Sequence, residues 1–165
     1  MQKILMLTLV CFLVFSCGEG ADTKDTQDDN TSFFSLQALP NLVATNERAT
    51  QLLDAWSDYK EFENSYGIMM RASNREELQL AVDDLLEKQK TWAQGTYPPE
   101  FDKAQIRSRQ RVLLTQMLRL KGGLNDRAEI EDPMKALVTA YNALRSQFNV
   151  QVNNSLDINQ YLDEN

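Results

Sequence analysis

Histidine is absent from the 165 residues, and the only thiols are Cys11 and Cys17. Without imidazole, neither a Ser-His-Asp nor a Cys-His relay can be assembled, and a haem axial histidine or the Glu-x-x-His pairs of a di-iron bundle are missing too. Carboxylates remain. Asp28-Asp29 and Asp83-Asp84 lack the alternating oxygens and central glycine of a calcium loop, so they read as solvated faces. No catalytic set, metal or cofactor is expected. Glu63, Gln89 and Gln110 interrupt apolar periodicities. They would either form a polar layer or pocket, or sit at seam edges while Phe62, Leu86 and Leu114 turn inward; the seam edge is the expectation.

Charge is the chemistry left over. Between Phe101 and Leu124, six cations (Lys103, Arg107, Arg109, Arg111, Arg119 and Lys121) face one acid, Asp102, a balance of +5. The whole chain has 17 basic and 24 acidic residues and a charge of −7. One reading pairs this stripe with Glu76, Glu77, Asp83, Asp84 and Glu87 of the preceding segment, which sets orientation more than stability because exposed ion pairs are weak. The other makes it a docking stripe for an acidic protein partner or anionic glycans. Internal pairing is the expectation. The overall negative sign disfavours nucleic acid and a passive grip on anionic headgroups.

Cys17 has a context of its own. Lys3 precedes an apolar run from Ile4 to Phe15, then Val14-Phe15-Ser16-Cys17 leads into Gly18-Glu19-Gly20. The three parts match a secretory signal, and the run is shorter than the roughly 18 to 20 residues that span a bilayer. Val14-Phe15-Ser16-Cys17 resembles the lipobox of bacterial lipoproteins, whose cysteine is acylated and becomes the first residue of the mature chain. The resemblance covers about the first seventeen residues and implies a diacylglycerol thioether on Cys17, an amide-linked chain such as palmitate, and a lasting membrane anchor. It also implies that Cys11 is discarded and Cys17 consumed, leaving no disulfide. Gly18 after the cysteine points to the outer membrane, and Glu19, Asp22, Asp25, Asp28 and Asp29 are compatible with export to its outer face. Losing Lys3 leaves 16 basic residues against 24 acidic, a charge of −8.

The elements that would carry this surface follow. Residues 1–16 read as signal and 17–31 as an acidic tether without large apolar side chains, with a reach of roughly 20 Å. The remainder, 32–165, suits one domain. Apolar residues at three- and four-residue steps predict helices over about 42–70, 74–94, 99–122 and 133–153. Ser73 with Glu76 predicts a capping box, Gly95 a left-handed cap, Pro99 a helix start, Gly122-Gly123 a stop, and Asp132-Pro133 the cap and opening of the last helix. The fold expected is all-α, an antiparallel up-down four-helix bundle behind a flexible N-terminal tether.

The functional expectation is a non-enzymatic envelope lipoprotein acting as a binding, scaffold or accessory module. The alternative is a periplasmic carrier or sensor of a small hydrophobic ligand held between helices, with Trp56, Tyr59, Tyr66, Trp92, Tyr141 and Phe148 as its lining rather than plain core.

Overall fold

The computed structural model describes residues 38–163, with side chains as far as Asn154. The signal-like segment, Cys17 and the acidic tract lie outside the described residues. Within them the chain is all-helical: α1 (Glu47–Asp54), α2 (Ser57–Met69), α3 (Arg75–Gln94), α4 (Ala104–Asn125) and α5 (Glu131–Asp163).

The first predicted helix is broken. Trp56 leaves the helical region, with φ −95° and ψ 94°. Its indole is 5% exposed, and its ring centroid lies 5.6 Å from that of Trp92, 4.8 Å from Tyr97 and 6.1 Å from Phe101. Burying an indole is worth about 4 kcal/mol, against a helical hydrogen bond or two forgone at about 1 kcal/mol each and an indole N–H left without a partner among the described residues. The two sides are of similar size, and the aromatic contacts accompany the break.

The chain before α1 is not helical either. Residues 41–46 lie along α5 as an extended strap. Asn142 receives the Val43 N–H and donates to the Asn41 carbonyl, both at 2.8 Å. Arg145 Nε donates to the Val43 carbonyl at 2.6 Å. Asn149 receives the Asn46 N–H at 2.8 Å and donates to the Ala44 carbonyl at 3.0 Å. Asn142, Arg145 and Asn149 are spaced three and four apart, so one face of α5 satisfies the strap's polar backbone. Asn46 then caps α1 by accepting the Ala49 N–H.

The other predicted boundaries shift for local reasons. The cap of α3 is Asn74, which accepts the Glu77 N–H, while Glu77 accepts from the Ser73 N–H and hydroxyl at 2.9 and 2.7 Å. The cap expected at Ser73 thus falls one residue later, because asparagine caps as well as serine, and Glu77, three beyond it, reaches back past the cap to Ser73 instead of to the cap's own N–H. Gly95 caps α3 in an extended conformation, φ −76° and ψ −177°, not a left-handed one. A Cβ there would meet the carboxylate of Asp58, a side chain that can swing aside, and otherwise only the Thr91 carbonyl at 3.5 Å.

Pro98-Pro99 makes a turn, the Phe101 and Asp102 N–H groups both reaching the Pro98 carbonyl, and α4 starts only at Ala104. The delay seats Phe101 fully in the core, 4.7 Å from Phe148. Gly122 and Gly123 do not stop α4, which continues to Asn125. Two helical glycines cost about 1 kcal/mol each relative to alanine, and burying Leu120 and Leu124 offsets them. Helix α5 begins at Glu131, so Asp132 and Pro133 lie in its first turn, where a negative charge suits the dipole and proline's missing N–H has no intrahelical partner to lose. It continues past residue 153 to Asp163.

Neighbouring helices are stitched by pairs whose numbers rise on one and fall on the other. Glu61 meets Lys88 at 3.0 Å and Ser65 meets Asp84 at 2.6 Å between α2 and α3. Asp83 meets Lys121 at 2.7 Å and Gln79 meets Asn125 at 3.1 Å between α3 and α4. Between α2 and α5, Tyr59 packs edge-on against Phe148 at 5.5 Å, and Tyr66 packs tilted against Tyr141 at 4.5 Å.

Candidate functional site

Two polar arrangements stand out from the apolar interior. The first is buried. The Tyr59 and Tyr141 hydroxyls are hydrogen-bonded at 2.9 Å, and Arg145, half-buried, reaches Glu63 at 3.2 Å. Lys60 joins from outside, 2.9 Å from Glu63 and 3.0 Å from Asp54. Burial, followed by the neighbouring Tyr141 and Glu63, pushes the Tyr59 hydroxyl well above its usual range, and burial does the same to Tyr141. Both therefore stay protonated and neutral. The cluster ties α2, α5 and the strap together.

Glu63 belongs to this cluster at its wet edge. The seam-edge expectation fails for Gln89 and Gln110, each 3% exposed. Gln110 is held by the Tyr97 hydroxyl, which donates to its Oε1, and Phe101 and Trp56 close around that turn. Tyr97 is in turn covered by the Arg107 guanidinium, 4.0 Å above its ring.

The second arrangement is on the surface, where the basic stripe divides. Successive residues turn by about 100° on a helix, which places Lys103, Arg107, Arg111 and Lys121 on one flank of α4 and Arg109 and Arg119 on the other. On the first flank Lys121 pairs with Asp83 of α3, and Arg107 pairs with Asp102 at 2.7 Å while stacking on Tyr97. Lys103 is the residue before α4 and makes no capping bond. Pairing between the flanks of α3 and α4 thus occurs at Lys121, and the other cations of the stripe do not join it among the described residues.

On the second flank, Arg109, Val112, Gln116 and Arg119 form one wall of an open groove of about 570 Å³. The other wall is α5, with Asp132, Lys135, Ala136, Thr139, Ala140 and Ala143. Arg109, Arg119 and Lys135 are exposed and make no ion pair among the described residues, and Val112 is 45% exposed. Gln116 Oε1 is buried in this wall without a hydrogen-bond partner among the described residues. The groove holds three cations and one acid, where the chain as a whole is strongly acidic.

Lys135 and the alanine floor were not apparent from sequence, since they come from a helix whose stripe gives only its inward face. A smaller apolar groove of about 500 Å³ lies between α2 and α3, bordered by Ile68 and Leu80, which are 55% and 72% exposed. Among the described residues no cluster of acidic groups is arranged to hold a metal ion, and no helix is long and apolar enough to cross a membrane. Compared with models of known families, with curated proteins and with solved structures, the chain matches none.

Proposed function

We propose that this is a lipid-anchored protein of the bacterial envelope whose helical domain is a non-enzymatic binding module. Its observation is how the cations of α4 are used: on one flank Arg107 and Lys121 are tied to Asp102, Tyr97 and Asp83, while on the other Arg109 and Arg119 line an open groove and make no ion pair among the described residues. Among the described residues these two serve no internal pair, and unlike Lys103 and Arg111 they converge with Lys135 on one groove.

The anchor rests on Val14-Phe15-Ser16-Cys17, with acylation of Cys17 and outer-membrane residence, periplasmic or surface-exposed, as what that motif supports. Residues 17–31 serve as the tether. The domain is read as an antiparallel up-down four-helix bundle in which α1 and α2 together make the first rod. The pairs Glu61 with Lys88, Asp83 with Lys121 and Glu63 with Arg145 support that course. Carriage of a hydrophobic ligand is less well supported, because the ring centroids of Trp56, Tyr59, Phe62, Trp92, Phe101 and Phe148 sit within 6.4 Å of a neighbour, filling the interior with the chain's own side chains.

Intact-mass analysis of the chain purified from bacterial membranes tests the anchor. The expected species begins at Cys17 and carries a diacylglyceryl group with or without a further acyl chain. A chain retaining residues 1–16, or one starting elsewhere without lipid, would refute it.

A further inference from the structure

The groove between α4 and α5 has a chemistry specific enough to name its occupant. Its floor is apolar and shallow, made by Val112 with Ala136, Ala140 and Ala143. Side chains this small let a third helix approach to the lower end of the usual 8 to 10 Å interaxial distance. Its rim is cationic, with Arg109 toward one end and Arg119 and Lys135 toward the loop end, and Asp132 the one acid. The ten residues from Arg109 to Arg119 span about 15 Å along the helix axis. Gln116 Oε1 adds an unpartnered acceptor between them.

We propose that this groove docks an acidic amphipathic helix of a protein partner. Carboxylates at positions i and i+11 of such a helix lie on one face about 16 Å apart, which matches the two arginines. Small and apolar side chains in the turns between them cover Val112 and the alanines, and a polar donor there reaches Gln116. An anionic glycan satisfies the rim but has no apolar side chains for the floor. The proposal rests on reading the domain as a binding module, and it names that module's partner by class. It does not depend on Cys17, whose acylation is read separately by mass.

The test is fluorescence anisotropy of the full chain, kept soluble in mild detergent, against a labelled synthetic helix of about 20 residues with glutamates at i and i+11 flanking an alanine-leucine stripe. Binding that weakens as salt rises, and that falls about tenfold or more in Arg109→Glu with Lys135→Glu, is expected. Arg111→Glu, on the opposite flank, should bind as the parent does. The milder pair Arg109→Gln with Lys135→Gln should be intermediate, which guards against a reversal that misfolds the chain; circular dichroism checks each variant. No binding, an affinity unmoved by the reversal, or equal binding of a peptide with lysines in place of the glutamates would overturn the proposal. So would displacement by a sulfated polysaccharide at lower concentration than by unlabelled peptide, which would make the groove a glycan site. Concentration-dependent self-association lost in the same reversal would overturn it in favour of a second copy of this chain.

Discussion

The hydroxyls of Tyr59 and Tyr141 meet 2.9 Å apart in the contact between α2 and α5, with Arg145 and Glu63 beside them. Removing one hydroxyl leaves the other without its best partner in a buried site, since the Tyr59 contact to Glu63 is 3.4 Å. Tyr141→Phe is expected to cost about 1 to 2 kcal/mol in urea unfolding. Tyr59→Phe should cost a similar amount, and the double variant less than the sum by about 1 kcal/mol. Strict additivity would show that the two hydroxyls are not coupled.

Arg127 is the one described non-glycine residue with positive φ, at 52°. It follows the end of α4, where the Ala128 N–H reaches the Gly123 carbonyl at 2.9 Å and the Arg127 N–H the Leu124 carbonyl at 3.2 Å. That double closure is a Schellman motif with arginine where glycine is preferred. Arg127→Gly should stabilise the chain by about 0.5 to 1 kcal/mol, the relief of left-handed strain exceeding the entropy that glycine adds to the unfolded chain. Arg127→Ala keeps the Cβ and should show no such gain. An equal rise in thermal midpoint for both would locate the effect in the arginine side chain.

These positions show what periodicity can and cannot reveal. The spacing of Leu113, Met117, Leu120 and Leu124, and of Leu137, Tyr141, Leu144, Phe148 and Val152, sets each group on one helical face, and all are buried. Leu118 keeps helical spacing with Leu114 but lies beyond the buried sector of α4 and is 52% exposed. The break at Trp56 is invisible to periodicity, since Leu52, Trp56 and Tyr59 keep helical spacing across it. The aromatic contacts of the indole accompany it. The strap was hidden for a related reason: its partners Asn142, Arg145 and Asn149 are polar residues on a helix, which read as solvated until an extended segment lies against them. On the candidate site, the excess of cations was legible and its division between two flanks followed from helix geometry. Lys135 was not, because pairing between α4 and α5 brings it there.

The strap itself is testable. Asn142→Ala with Asn149→Ala removes the acceptors for the Val43 and Asn46 N–H groups and the donors for the Asn41 and Ala44 carbonyls. These groups are part-buried or exposed, so water replaces some bonds and a global loss of about 1 to 2 kcal/mol is expected. The local effect should be larger. Hydrogen exchange at Val43 and Asn46 should accelerate well beyond that of core amides in α5. Unchanged protection at both would mean that the side chains of α5 do not hold the strap.

Glu77 gives a prediction in pH. Hydrogen bonds from the Ser73 backbone N–H and then the Ser73 hydroxyl lower its carboxyl below the ordinary value of 4.5. A carboxyl lowered on folding contributes stability that is present above its unfolded value and is lost as pH falls through the folded one. The start of α3 should therefore weaken with acid below about pH 4.5, where the unfolded chain takes up the proton first. Glu77→Gln keeps an acceptor in place but carries no titrating charge. Its urea midpoint should lie below that of the parent at pH 6, and the gap should close as pH is lowered toward 3. A gap that stayed constant across that range would assign the effect of the substitution to lost geometry at the cap, with no contribution from ionisation.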